Sequence, residues 1–155
     1  MKEPFLKVKD ITKVPYKKLK DMKIKTIFFD FDETILSNGE EVIREKFIIT
    51  LKKISNDFKI IIVTNSLFKS RIKKYISDYP IVVRALKPFS KGFDKALKIA
   101  NSLPCEVALI GDKFFTDIVG GNKKGFYTIL VEPLNKDAYS FVYKLYSKIL
   151  GRRYL

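Results

Sequence analysis

Five short runs rich in β-branched and aromatic side chains punctuate the chain, at residues 26–30, 59–64, 81–87, 106–112 and 126–132. Each is almost continuously apolar rather than alternating, the character of a strand buried on both faces in a parallel sheet. Between them apolar residues return at helical spacing. Ile43, Phe47, Leu51 and Ile54 form one stripe; Phe68, Ile72, Tyr75, Ile76 and Tyr79 a second; Phe89, Phe93, Ala96, Leu97 and Ala100 a third. Strands alternating with helices predict an α/β fold: a parallel sheet of about five strands with helices on both faces, its ligand site at the carboxyl ends of the strands. The three stripes are assigned to the core.

Composition narrows the class. A chain of 155 residues with 46% apolar content is the length of one domain, and no repeat or Gly/Pro-rich linker divides residues 1–155. The 31 Lys and Arg against 17 Asp and Glu give a net charge of +14, which favours polyanionic partners: nucleic acid, an anionic membrane surface or phosphorylated substrates. Histidine is absent, which removes Ser-His-Asp and Cys-His catalysis and imidazole-dependent zinc sites, so acid–base work falls to carboxylates or lysine. The single Cys105 can form neither an intrachain disulfide nor a paired metal clamp, and is read as filler. No run approaches the 18 to 20 or so apolar residues of a membrane span, and the first residues lack the apolar stretch of a signal peptide, so a cytosolic location is expected.

The candidate chemistry stands where the strands end: Asp30 and Asp32 after the first, Thr64 and Asn65 after the second, Lys87 after the third, Asp112 and then Asp117 after the fourth. Carboxylates converging on one sheet edge repel one another unless a cation lies among them, and an all-oxygen set suits a hard divalent ion, Mg²⁺ above all. Thr64 and Lys87 add the hydroxyl and ammonium that orient and neutralise phosphoryl oxygens.

Asp-Phe-Asp-Glu-Thr at 30–34, Thr64, Lys87 and Gly-Asp-x4-Asp at 111–117 resemble, in order, the four motifs of the haloacid dehalogenase (HAD) superfamily of aspartate-based phosphohydrolases. The resemblance implies a Rossmann-like fold, with Asp30 as nucleophile and Asp32 as the general acid and then base. It implies that Mg²⁺ is held by the Asp30 carboxylate, the Asp32 carbonyl and Asp112, with Asp117 completing the metal's surroundings or steadying Lys87. It also implies that Thr64, Lys87 and Asn65 hold the phosphoryl oxygens. Only about 30 residues separate the first motif from the second, and fewer than 50 separate the second from the fourth, leaving no room for a cap domain. An open site suits large or interfacial substrates.

The run from Gly111 to Val131, with Thr116-Asp117, Gly120-Gly121-Asn122 and Gly125-Phe126-Tyr127-Thr128-Ile129-Leu130-Val131, is similar to the YqeG type of these phosphatases. Glu33 departs from it, since that type usually carries Asn there. The type is similar to phosphatidylglycerophosphate phosphatases, so removal of the terminal phosphate from that lipid is the expected reaction. A soluble phosphomonoester is the alternative substrate, and a non-catalytic nucleic-acid-binding module, supported by charge alone, is the competing class. Residues 137–150 place Tyr139, Val142, Tyr143, Tyr146, Ile149 and Leu150 on one helical face beside Lys144 and Lys148. That helix is expected either to lie peripherally on the inner membrane surface or to pack on the domain.

Overall fold

The computed structural model describes residues 3–138. Six parallel strands form one sheet in the order β1-β6-β5-β2-β3-β4. They are β1 (Leu6–Val8), β2 (Thr26–Phe29), β3 (Lys59–Val63), β4 (Ile81–Val82), β5 (Val107–Gly111) and β6 (Tyr127–Val131). The helices are α1 (Tyr16–Asp21), α2 (Glu45–Ile54), α3 (Lys69–Lys73), α4 (Ser90–Ala100) and α5 (Gly120–Lys124), with a π-helical turn over Phe114–Val119 before α5.

Each strand contributes to two cores because successive side chains point to opposite faces. On one face Ile27, Phe29, Ile60, Ile62 and Ile110 pack with Phe47, Leu51 and Ile54 of α2 and Ile72 of α3. On the other, Phe28, Ile61, Val63 and Leu109 meet Phe93, Ala96 and Ala100 of α4. Phe126 sits edge-on to both Phe28 and Phe93, with centroids 5.5 and 5.4 Å away.

From β2 the chain adds β3 and β4 on one side, then returns to place β5 on the other side of β2. Connections leaving in opposite directions open a crevice at the carboxyl ends of β2 and β5, the switch point where open α/β sheets bind ligands. Asp30 directly follows β2, and Asp112 directly follows β5.

The structure departs from the expected pattern in four places. A sixth strand, β1, pairs with β6 at the sheet edge; three residues are too few to declare a period. The run expected to continue as strand to Lys87 ends at Val82, because Arg84 and Leu86 take left-handed backbone angles and fold the chain back toward β3. The stripe from Phe68 to Tyr79 yields only a five-residue helix, with Ile72 its one fully buried member. Phe68 and Phe89, assigned to the core, are instead exposed, because each sits in extended conformation just before its helix begins. The amphipathic helix expected over 137–150 lies, from residue 139, outside the described residues.

Candidate active site

At the switch point three carboxylates, Asp30, Asp112 and Asp117, bring ligand-capable oxygens within 4.8 Å of one another, all buried. Two lysines hold them. Lys87 Nζ donates to Asp30 Oδ1 at 2.8 Å and to Asp117 Oδ1 at 2.6 Å, with its side chain 2% exposed. Lys113 Nζ reaches Asp112 Oδ1 at 2.9 Å, Asp30 Oδ2 at 3.3 Å and the backbone carbonyl of Asp32 at 3.2 Å. Asp112 Oδ1 also accepts from the Thr34 hydroxyl at 3.1 Å. Asp112 Oδ2 is buried with no hydrogen-bond partner among the described residues.

The local fold explains the spacing of Gly111, Asp112 and Asp117. A Cβ on Gly111 would lie 2.3 Å from Asp117 Oδ2, so only glycine lets that carboxylate cross the end of β5. The wide π-helical turn carries Asp117 back over the strand end, where Oδ2 accepts the Lys113 backbone N–H at 3.1 Å. Gly120 and Gly121 are packing residues: added Cβ atoms would meet Pro88 Cα at 2.9 Å and Thr128 Cγ2 at 2.6 Å.

Lys87 reaches the centre from a loop rather than a strand. Asn65 clamps that loop, its Oδ1 accepting the Lys87 N–H at 2.8 Å and its Nδ2 donating to the Lys87 carbonyl at 3.1 Å. Asn65 therefore positions the lysine backbone. Buried Thr64 accepts from Ser66 N–H at 3.1 Å, and its carbonyl receives Ala85 N–H at 3.0 Å.

Asp32 stands apart, 38% exposed in its side chain. It accepts from Arg71 Nη2 at 2.6 Å and Nη1 at 3.2 Å, turning only its carbonyl toward the buried cluster. Glu33 supports the motif from behind. In left-handed conformation (φ 67°), it accepts backbone N–H groups of Asn38 and of Asn135, the latter at 2.6 Å, tying the loop after β2 to the chain after β6. Sequence assigns no role to Lys113 or Arg71, and marks Thr34 and Glu33 only as members of the motif at 30–34. The Gly-Asp motif adjoins Lys113, a signal that was available; nothing in sequence points from Arg71 to Asp32.

The electrostatics follow from burial and charge placement. Burial alone would raise Asp30, but the Lys87 and Lys113 ammoniums outweigh it and hold the carboxyl well below the usual range. Burial pushes Asp112 up to about 8; Lys113 pulls against the rise, while Asp30 and Asp117 add to it. Asp117 is raised by burial too, against Lys87. For both lysines burial favours the neutral form, yet the facing carboxylates win and raise them. The result is a buried, fully ionised Asp30 beside a carboxylate that needs more positive charge than one lysine supplies.

Comparison with known proteins identifies the family. The model for mitochondrial PGP phosphatase matches residues 2–78, and a HAD-hydrolase-like model matches residues 85–133. "Probable phosphatase YqeG" of Bacillus subtilis is 30% identical over 130 residues, covering 82% of this chain and 75% of the relative. Phosphatidylglycerophosphate phosphatase 1, chloroplastic/mitochondrial, of Arabidopsis thaliana is 27% identical over 150 residues; 90% of this chain is covered, but only 43% of that protein. Among solved structures, an uncharacterized protein from Listeria monocytogenes superposes with TM-score 0.57 at 17% identity, over 80% of this chain and 99% of its own. A HAD phosphatase from Thermococcus onnurineus superposes with TM-score 0.51 at 20% identity, over 73% and 60%, sharing the fold. The chain belongs to the HAD phosphatases of the YqeG type.

Proposed function

We propose that this phosphatase hydrolyses the terminal phosphomonoester of phosphatidylglycerophosphate at a membrane surface, with Mg²⁺, in a single domain without a cap. The observation that carries the chemistry is Asp30: a buried carboxylate kept ionised by Lys87 and Lys113 at the switch point, with a second carboxylate, Asp32, at the open side. The lipid is supported by the likeness of residues 2–78, which include Asp30, Asp32, Thr64 and Asn65, to the mitochondrial PGP phosphatase family.

The residues fit a divalent cation. Asp112 Oδ2 is buried without a donor among the described residues, and the Asp30, Asp32 and Asp112 oxygens already converge on one positive charge, the Lys113 ammonium. Asp30, the Asp32 carbonyl and Asp112 would hold Mg²⁺, Asp117 would anchor Lys87, and the half-exposed Lys113 has solvent into which to withdraw. Bound there, Mg²⁺ would neutralise phosphoryl oxygens and carboxylates together.

In the first step an Asp30 oxygen forms a bond to phosphorus as the ester P–O bond breaks, and Asp32 delivers its proton to the departing alcohol oxygen. In the second, Asp32 takes a proton from water as that water's oxygen bonds to phosphorus, expelling Asp30 and releasing inorganic phosphate. Lys87 and the Thr64 hydroxyl orient the phosphoryl oxygens, Asn65 holds the Lys87 loop, and Arg71 aims the Asp32 carboxylate.

The test is phosphate release from phosphatidylglycerophosphate in anionic micelles, with Mg²⁺ and with chelator. Release is expected only with Mg²⁺, and Asp30→Asn should lower it by at least about 10³-fold, since an amide cannot serve as the nucleophile. Efficient turnover of a soluble ester with the lipid untouched would overturn the lipid reading. Full activity in Asp30→Asn would overturn the mechanism.

A further inference from the structure

Five large apolar side chains stand exposed on three of the four loops that carry the site. Leu67 (58%) and Phe68 (61%) follow Thr64 and Asn65; Leu86 (56%) and Phe89 (72%) flank Lys87; Phe115 (45%) follows Asp112. Single exposed apolar residues are ordinary, but a cluster around one cleft marks an interaction surface. Other exposed apolar residues, such as Ile49 on α2 and Leu103 before β5, lie on different segments.

The first two loops form one platform. Arg84 N–H donates to the Ser66 carbonyl at 2.9 Å, Arg84 Nε donates to the Leu67 carbonyl at 3.2 Å, and Asn65 is bonded to both backbone groups of Lys87. Leu67, Phe68, Leu86 and Phe89 are therefore carried on two segments bonded to each other. The third loop leads into α5, whose Gly120 packs so closely on Pro88 that a Cβ there would lie 2.9 Å from Pro88 Cα.

Charge identifies the occupant. Segments 64–74, 84–91 and 113–116 contain eight Lys or Arg and no Asp or Glu; Lys69, Lys73, Lys74, Arg84 and Lys91 are exposed and stand outside the carboxylate network. The loop after β2 brings acids to the same edge, but Asp30 and Glu33 are buried, Asp32 is paired with Arg71 and Glu40 with Arg44, which leaves Glu41 exposed. Apolar tips between cations match a bilayer with anionic headgroups, where Phe and Leu enter the acyl boundary while Lys and Arg meet phosphates. Leucine offers nucleic acid neither a stacking face nor a hydrogen bond.

We infer that the rim formed by Leu67, Phe68, Leu86, Phe89 and Phe115 is a docking surface for an anionic bilayer, so that the open catalytic crevice faces the membrane. The proposal rests on the lipid-phosphatase reading for its purpose, but its test does not. The full chain is sedimented with sucrose-loaded vesicles of phosphatidylcholine, with and without phosphatidylglycerol. The variants are Phe68→Ser with Phe89→Ser, and Lys69→Glu with Lys91→Glu. The new acids sit in the first turns of helices, where negative charge is favourable. Circular dichroism and hydrolysis of para-nitrophenyl phosphate report whether fold and site survive.

Wild type should bind the anionic vesicles selectively, and each double variant should lose about tenfold or more in affinity while still hydrolysing the soluble ester. Vesicle binding unchanged in the Phe68/Phe89 variant, or absent in wild type, overturns the proposal. So does an effect confined to a single-stranded oligonucleotide offered in parallel. Rim-dependent binding without hydrolysis of phosphatidylglycerophosphate would defeat the lipid-substrate reading and leave the docking surface standing.

Discussion

The two ends of the same sheet treat charge in opposite ways. At the amino end the acids are partnered at the surface: Lys20 with Asp57 and Lys25 with Glu106, around an open cleft of about 550 Å³ lined by Phe58, Lys59, Tyr79 and Ile99. Water solvates these ions, so the pairs contribute little. At the carboxyl end Asp30, Asp112, Asp117 and Lys87 are withdrawn from water, one carboxylate oxygen has no donor among the described residues, and the nearby apolar groups face outward. Burying ions in this way costs stability, and a fold retains it where chemistry needs a charge undiluted by solvent.

Cutting the buried network should do the most damage. Lys87→Met leaves Asp30 and Asp117 facing each other without their shared cation, and a loss of about 3–5 kcal/mol in urea unfolding is expected, together with loss of phosphatase activity. An unchanged unfolding midpoint would mean that the network relaxes into solvent.

A smaller effect is expected from the titration of Asp112. Its folded pKa is raised to about 8, so the stability it contributes is complete below the ordinary carboxylate value of about 4 and is lost as pH climbs from there to about 8. Asp30, shifted down, acts in the reverse sense: its contribution is present above the ordinary value and disappears as pH falls below it. In chelator, Asp112→Asn should therefore flatten the decline in unfolding free energy between pH 5 and pH 8 and gain on wild type at the upper end. Parallel pH curves for the two proteins would show that Asp112 does not titrate in that window.

The amino end should hardly respond. Lys20→Ala removes an exposed pair and should change stability by no more than about 0.5 kcal/mol, read by the same urea titration. A cost comparable with that of Lys87→Met would erase the distinction between the two ends.

These differences also explain what was legible in the chain. The central strands declare themselves because both faces are buried, leaving runs such as Ile60-Ile61-Ile62-Val63 unbroken by polar residues. The acids after β2 and β5 stand out for the same reason, since each directly follows such a run. Loops carry no comparable period. The fold-back at Arg84 and Leu86, the short α3 and the exposure of Phe68 and Phe89 depend on hydrogen bonds between segments about twenty residues apart, such as Asn65 to Lys87. A Phe at helical spacing counts as core in any periodicity argument, yet one position before the helix it points elsewhere.

Sequence alone determined the α/β class, the convergence of Asp30, Asp32, Thr64, Lys87, Asp112 and Asp117 on one sheet edge, and, through missing histidine, the exclusion of imidazole-dependent catalysis. Tertiary structure decided which of them share an interior withdrawn from water and which meets solvent. Lys113 lies 83 positions from Asp30, and Arg71 lies 39 from Asp32, yet each pair is in contact. Local propensity acts over a few residues, whereas charge pairing in a buried crevice is set by which strands the topology makes neighbours.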